Sequence, residues 1–213
     1  RAPVIPLFGR GLTRLQPVWV EDLAGALARL AEGLGYTRTA AVALPFDDEL
    51  DYDAYFQVHL DRIHEVALVL ADHGLSLALE YVSPLTRRAG HRHPFIYDMK
   101  GLMKLCEASG YRHVGVLLDS FHWHCAGEAV ADIETLKESL LVVHVNDLIA
   151  GRAVDEQVVT ERALPCETGV IDMAGFIGAL KRMGFDGPVT SEPTNPKWRG
   201  ADADEATAML GAS

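Results

Sequence analysis

Four polar residues stand at or near the ends of apolar runs, and together they could hold a metal ion. Glu80 lies near the end of LSLALEYV (75–82), and Asp119 directly follows VGVLL (114–118). His144 is set between Val143 and Val145, and Glu192 ends PVTSE (188–192) just before Pro193. An acid buried alone in such a run is costly. Taken singly, each has an ordinary reading: a strand-end acid as a helix cap or salt-bridge partner, a strand histidine as a hydrogen-bonded core residue. Taken together, polar residues at the C-terminal ends of successive parallel strands converge on one point at the top of a β/α barrel. Three carboxylates so close repel one another, and a divalent cation removes that repulsion while using the imidazole as a further ligand.

The elements that must position these residues are legible from periodicity. Apolar, β-branched or Leu-rich runs mark strands at 39–44, 75–82, 113–121, 141–147 and 188–192. Helical spacing marks 22–34, 51–73, 97–109, 128–139, 172–183 and a short closing helix at 202–210. In the second of these, Phe56, Leu60, Ile63, Ala67 and Leu70 fall on one stripe, and Gly74 stops it. Near-continuous apolar strands alternating with helices predict an α/β fold with a covered parallel sheet. Eight strands would complete a (β/α)8 barrel of the TIM type, which typically runs to about 250 residues. Here only Val4–Phe8 (VIPLF) is a further candidate, and it is weak. The expectation is therefore one domain over 1–213, a TIM (β/α)8-type barrel lacking or truncated in its first βα units. The start Arg1-Ala2-Pro3, without an initiator Met, is expected to fall partway through a longer gene product.

Composition narrows the partners. The 213 residues are 49% hydrophobic and 23% charged, with 30 acidic against 19 basic residues and a net charge of −11. That charge disfavours nucleic acid, and the absence of a long apolar stretch disfavours a membrane span. Three cysteines without a CxxC pair and no leading signal-like segment predict a reduced, cytoplasmic protein. A homo-oligomer is allowed but not specified. Neither a G-x-G-x-x-G turn after a strand, a Walker-type loop nor a G-x-S-x-G elbow is present, so no nucleotide cofactor or serine nucleophile is expected.

The segments LALEYVSP (77–84), VGVLLDSFHWH (114–124), VVHVNDLIAGR (142–152), RALPCETGVID (162–172) and GFDGPVTSEP (184–193) resemble the sugar phosphate isomerase/epimerase group of xylose isomerase-like TIM barrels. The likeness covers roughly 75–198 and, more loosely, 21–44. It implies that Glu80, Asp119, His144 and Glu192 bind one divalent metal ion, commonly Mn2+, Mg2+ or Zn2+. It also implies that His122, three residues beyond Asp119, and Arg152, eight beyond His144, grip substrate oxygens. Arg162, on the same long loop, is a second candidate. One departure stands out: Cys166 occupies a turn position where the family commonly has glycine, and is strained if φ is positive there.

Two further clusters read weakly. His122-Trp123-His124-Cys125 lacks the two-to-four-residue ligand spacing of a structural zinc site. Arg87, Arg88, His91, Arg92 and His93 form a basic loop after the strand bearing Glu80, either solvated or an anion-binding lid.

The function expected is a metal-dependent isomerase or epimerase of a small keto-sugar or related polyol. Glu80 and Glu192 would remove and return a proton through a metal-stabilised enediolate. The alternatives are a metal-dependent dehydratase of a cyclic keto-polyol or dehydroshikimate-like substrate, and a non-catalytic barrel. An abasic-site endonuclease is disfavoured by the charge and the missing histidines.

Overall fold

The computed structural model describes residues 29–198, together with 202, 204, 207 and 208. The Val4–Phe8 strand, the first part of the 22–34 helix and most of the 202–210 helix lie outside the described residues. The strands are β1 (Arg38–Ala43), β2 (Phe46–Asp47), β3 (Ser76–Tyr81), β4 (His93–Pro94), β5 (Val114–Asp119), β6 (Leu140–Val145) and β7 (Val189–Ser191). The helices are α1 (Tyr52–Asp72), α2 (Leu85–Arg88), α3 (Met99–Ser109), α4 (Ser120–Cys125), α5 (Val130–Ile133) and α6 (Met173–Met183). No described helix is long and apolar enough to cross a membrane.

All five strands expected from the sequence are present and pair in parallel in the order β1-β3-β5-β6-β7. Register aligns Glu80 with Val42, Asp119 with His144, and His144 with Thr190. On β3, Leu77, Leu79 and Tyr81 join Ile63, Ala67 and Leu70 of α1 and Leu102 and Leu105 of α3 in one core. The alternation puts Glu80 on the other face, the interior of the barrel arc. Gly115 lets β5 and the segment before β6 approach closely, because a Cβ there would lie 2.3 Å from the Ser139 carbonyl oxygen. Among the described residues β1 and β7 are sheet edges, and Val42 and Val189 are about half exposed (53% and 48%). The described strands thus form an open arc of a TIM-type barrel.

Caps explain where helices begin and end. Asp51, Asp98 and Asp172 each accept a hydrogen bond from the backbone N–H three residues on, opening α1, α3 and α6. Gly184, at φ 70°, closes α6 in the left-handed region.

Several elements differ from expectation, among them the short helices α2 and α4, which fall where an irregular stretch and a strand end are expected. The single helix expected over 128–139 is instead α5 followed by a 3-10 turn at Lys137–Ser139. Lys137 has a φ of 47°, a left-handed conformation that an α-helix cannot continue through. The two-residue pair β2–β4 was not expected, being too short for any periodicity.

Cys166 does adopt positive φ, at 64°, and it is exposed. A left-handed conformation costs an ordinary residue roughly 1–2 kcal/mol and glycine almost nothing. Cys166→Gly is therefore expected to raise the melting temperature by a few degrees, at roughly 2–4 °C per kcal/mol. An unchanged or lower midpoint in a thermal melt would show the turn to be unstrained.

Candidate metal centre

Four strand ends deliver the four predicted residues to one place. Glu80 closes β3 one residue from its end, Asp119 is the last residue of β5, His144 lies within β6, and Glu192 follows β7 directly. Each offers one ligand atom, and these atoms all lie within 4.8 Å of one another. Asp119 is fully buried and Glu80 is 7% exposed, whereas His144 and Glu192 face the open side. Around His144 Nδ1 stand Glu192 Oε2 at 3.2 Å, Glu80 Oε1 at 3.8 Å and Asp119 Oδ2 at 4.0 Å.

The donor set fits a metal ion by its own deficits. Glu80 Oε1 is buried without a hydrogen-bond partner, and the buried His144 Nδ1, though 3.2 Å from Glu192 Oε2, makes no well-directed hydrogen bond. A buried polar atom left unpaired is costly, and two facing each other among carboxylates match the oxygen and imidazole donors that a divalent cation takes. Asp119 is held in place from behind: Asn146 Nδ2 donates to both its oxygens at 3.1 Å, and the Phe121 N–H donates to Oδ1 at 2.7 Å.

Electrostatics sorts the acids. Burial, reinforced by the Asp119 and Glu192 carboxylates, pushes the Glu80 carboxyl up to about 8. Burial also acts to raise Asp119, but Arg162 and His122 together with the Phe121 amide hold it below the usual carboxylate range. The His144 ring beside Glu192 keeps that carboxyl low. Burial pulls His122 down to about 4, so its ring is neutral near pH 7.

A pH dependence follows for the metal-free protein. Glu80 binds its proton more tightly folded than unfolded, so its contribution to stability falls as pH rises from about 4.5 to about 8. His122, with its folded value depressed, adds stability with rising pH only up to its unfolded value of 6.5. Above that Glu80, together with His144, whose value the neighbouring carboxylates raise, loses its contribution, and the metal-free protein should melt lower at pH 8 than at pH 6.5. The Glu80→Gln variant should show a flatter profile in the same scanning-fluorimetry series. A slope that Glu80→Gln leaves intact would assign the effect elsewhere.

The two substrate-gripping candidates part company. His122, in α4, lies 4.0 Å from Glu80 Oε1 through Nε2, while its Nδ1 accepts from the Ser83 N–H at 3.3 Å. Arg152 is not brought to the cluster: its Nη2 pairs with Glu161 Oε2 at 2.7 Å on the loop, and it has no hydrogen bond or ion pair to the four residues. The guanidinium that is there belongs to Arg162, 3% exposed. Its Nη1 donates to Asp119 Oδ2 at 2.8 Å and to Glu192 Oε2 at 2.7 Å, and its Nη2 lies 3.2 Å from His122 Nε2.

Asp147 explains why the loop delivers Arg162. The Asp147 and Ala163 backbones pair with each other, and the Asp147 carboxylate accepts from the N–H groups of Leu148, Thr168, Gly169 and Ile171. Arg162 is thereby fixed next to Ala163 at the strand ends. Arg162, the second candidate on this loop, is thus the one that the Asp147 fold-back brings to the site.

The basic loop is held by neighbours: Arg88 Nε donates to the Ser83 carbonyl at 3.0 Å, and His91 faces Asp48 at 3.0 Å and stacks on Phe46. Of the aromatic residues near the rim, Tyr81 and Trp123 are buried in the core.

The family model for xylose isomerase-like TIM barrels matches residues 21–212. The chain belongs to that family. It is 27% identical over 180 residues to the inosose isomerase of Bacillus subtilis (strain 168), covering 81% of this chain and 59% of that protein. The chain thus spans about three-fifths of the length of the curated relatives it matches. Among solved structures, a xylose isomerase domain protein from Alicyclobacillus acidocaldarius superposes with a TM-score of 0.72 at 31% identity, over 89% of this chain and 65% of that one. The IOLI protein with a binding zinc atom gives a TM-score of 0.75 at 20% identity, over 89% of this chain and 66% of that one, a likeness of fold.

Proposed function

We propose that the protein belongs to a divalent-metal-dependent isomerase or epimerase acting on a small keto-sugar or keto-polyol. The observation that carries this reading is the cluster itself: Glu80, Asp119, His144 and Glu192 present ligand atoms within 4.8 Å of one another, with Glu80 Oε1 left without a hydrogen-bond partner. The inosose isomerase relatives favour a cyclic ketone with neighbouring hydroxyls as the substrate class.

When bound, a divalent ion would polarise the substrate carbonyl and make the neighbouring C–H bond acidic. The residues of the chain do the rest. One of the two glutamates, Glu80 or Glu192, takes the proton from carbon at a carboxylate oxygen, and the other returns one from its own side. Arg162, held by Asp119 and Glu192, and the neutral His122 beside Glu80 face the same space and donate to substrate oxygens as negative charge grows on them. Arg162, rather than Arg152, takes the substrate-gripping role in this reading. The β3 and β5 ends are buried, which keeps bulk water from the Glu80 side.

The test is solvent exchange. In deuterium oxide with Mn2+, incubation with inosose or a panel of ketoses is expected to place deuterium at the carbon next to the carbonyl during interconversion, read by NMR. Growth of an enone absorbance instead would indicate dehydration. Metal-loaded protein that exchanges no proton in any of these ketones would overturn the proposal.

A further inference from the structure

Behind the metal centre, a carboxylate that takes no part in the cluster ties together the segments that build it. Tyr81 follows Glu80 in β3 and points to the opposite face, where it is fully buried. Its hydroxyl donates to Glu128 Oε2 at 2.5 Å, and Glu128 Oε1 accepts from the Met99 N–H at the start of α3 at 2.6 Å. Glu128 itself stands in the segment after α4, the continuation of the strand and helix that bear Asp119 and His122. One side chain therefore links the end of β3, the first turn of α3 and the chain leaving β5.

We propose that Glu128 is a positioning residue for Glu80, holding the β3 terminus through Tyr81 so that Glu80 reaches the metal. The inference rests on the metal-centre reading above and extends it to a residue outside the cluster. Two features support a role beyond packing. Both oxygens of Glu128 are used, each by a group at a segment end, the last residue of β3 and the first of α3, so their removal loosens those ends specifically. Glu128, itself only half-buried, also lines a cleft of about 930 Å³ together with Met99, so water can reach the Met99 end of the link when Glu128 is removed. The fold thus does not depend on Glu128 as a core residue does, whereas the alignment of Tyr81 and Glu80 does.

Four proteins carry the test: the full chain, Glu128→Ala, Glu128→Gln and Tyr81→Phe. Each is titrated with Mn2+ alone by calorimetry, and exchange kinetics are then measured on metal-loaded protein. Groups that orient metal ligands typically carry 10- to 100-fold in metal affinity. Glu128→Ala is expected to weaken Mn2+ binding by about 10-fold or more and to lower kcat more than it changes KM. Tyr81→Phe should move both in the same direction. Glu128→Gln should restore both, since its amide accepts from Met99 N–H through oxygen and donates to the Tyr81 hydroxyl through nitrogen. If Glu128→Ala and Tyr81→Phe lower only the melting temperature, with Mn2+ affinity and kcat unchanged, the positioning role is refuted. Should Glu128→Ala fail to fold, Tyr81→Phe against Glu128→Gln decides the same question. The unaltered chain separates the two readings: Mn2+ binding there with unmoved variants refutes only the role of Glu128, while no Mn2+ binding refutes the metal centre and this inference with it.

Discussion

Glu80→Gln and Glu192→Gln, made separately, are each expected to slow deuterium exchange by on the order of a hundred- to ten-thousand-fold, the range that a positioned acid or base contributes. The amide keeps the shape of the side chain but neither takes nor returns a proton at pH 7. The two variants should differ in what else they disturb. Glu80 is almost wholly buried and, with its carboxyl pushed up to about 8, already carries its proton near pH 7 in the metal-free protein, so the neutral amide changes the charge of the empty cluster little. Glu192 is partly exposed and bonded to Arg162, so its replacement loosens the guanidinium as well. If one glutamate is the base for a given epimer and the other for the opposite epimer, each variant should lose exchange from one epimer and retain it from the epimer whose base is kept. Exchange from both epimers within about threefold of the unaltered protein in either variant would remove that glutamate from the proton path.

Arg162→Met is expected to produce the largest loss of stability of any single change at the site. The guanidinium is buried and donates to Asp119 and Glu192, and removing one partner of a buried ion pair commonly costs roughly 3–5 kcal/mol because the remaining charge is left uncompensated. At roughly 2–4 °C per kcal/mol, the metal-free variant should melt on the order of 10 °C lower. Saturating Mn2+ should recover much of that loss, since the ion would neutralise the same carboxylates. Arg152→Met is the contrast, because Arg152 pairs with Glu161 on a partly exposed loop, where an ion pair is worth at most about 1 kcal/mol. Equal losses in the two variants, measured by thermal melts with and without Mn2+, would contradict the division of roles drawn from the structure.

The difference between these two arginines shows where sequence reading stops. Both lie on the irregular stretch between β6 and α6, and neither periodicity nor spacing ranks them. What separates them is a set of hydrogen bonds made by Asp147, whose carboxylate gathers four backbone N–H groups of the loop, while its backbone pairs with Ala163. Such a fold-back leaves no repeating pattern in the residues. The broken 128–139 helix is a similar case: its apolar spacing satisfies a helix, but the left-handed backbone at Lys137 is a consequence of how the chain must turn into β6. The role inferred for Glu128 was equally invisible, because its partners Tyr81 and Met99 are 47 and 29 residues away.

The strands and the four ligand candidates were legible for one physical reason. Burying an acid or an imidazole in an apolar strand is costly, so Glu80, Asp119, His144 and Glu192 mark positions at which something must compensate, and strand periodicity fixes which face each side chain takes. Residue order alone therefore pointed to the parallel β/α architecture and to the four residues that meet in the candidate cluster. Tertiary structure alone decided that the ligand atoms come within 4.8 Å of one another, that Arg162 rather than Arg152 neutralises them, and that Asn146 and Glu128 brace them from behind. Local energetics reaches only as far as a helix or strand repeat, whereas these contacts join segments that meet only when the sheet is formed.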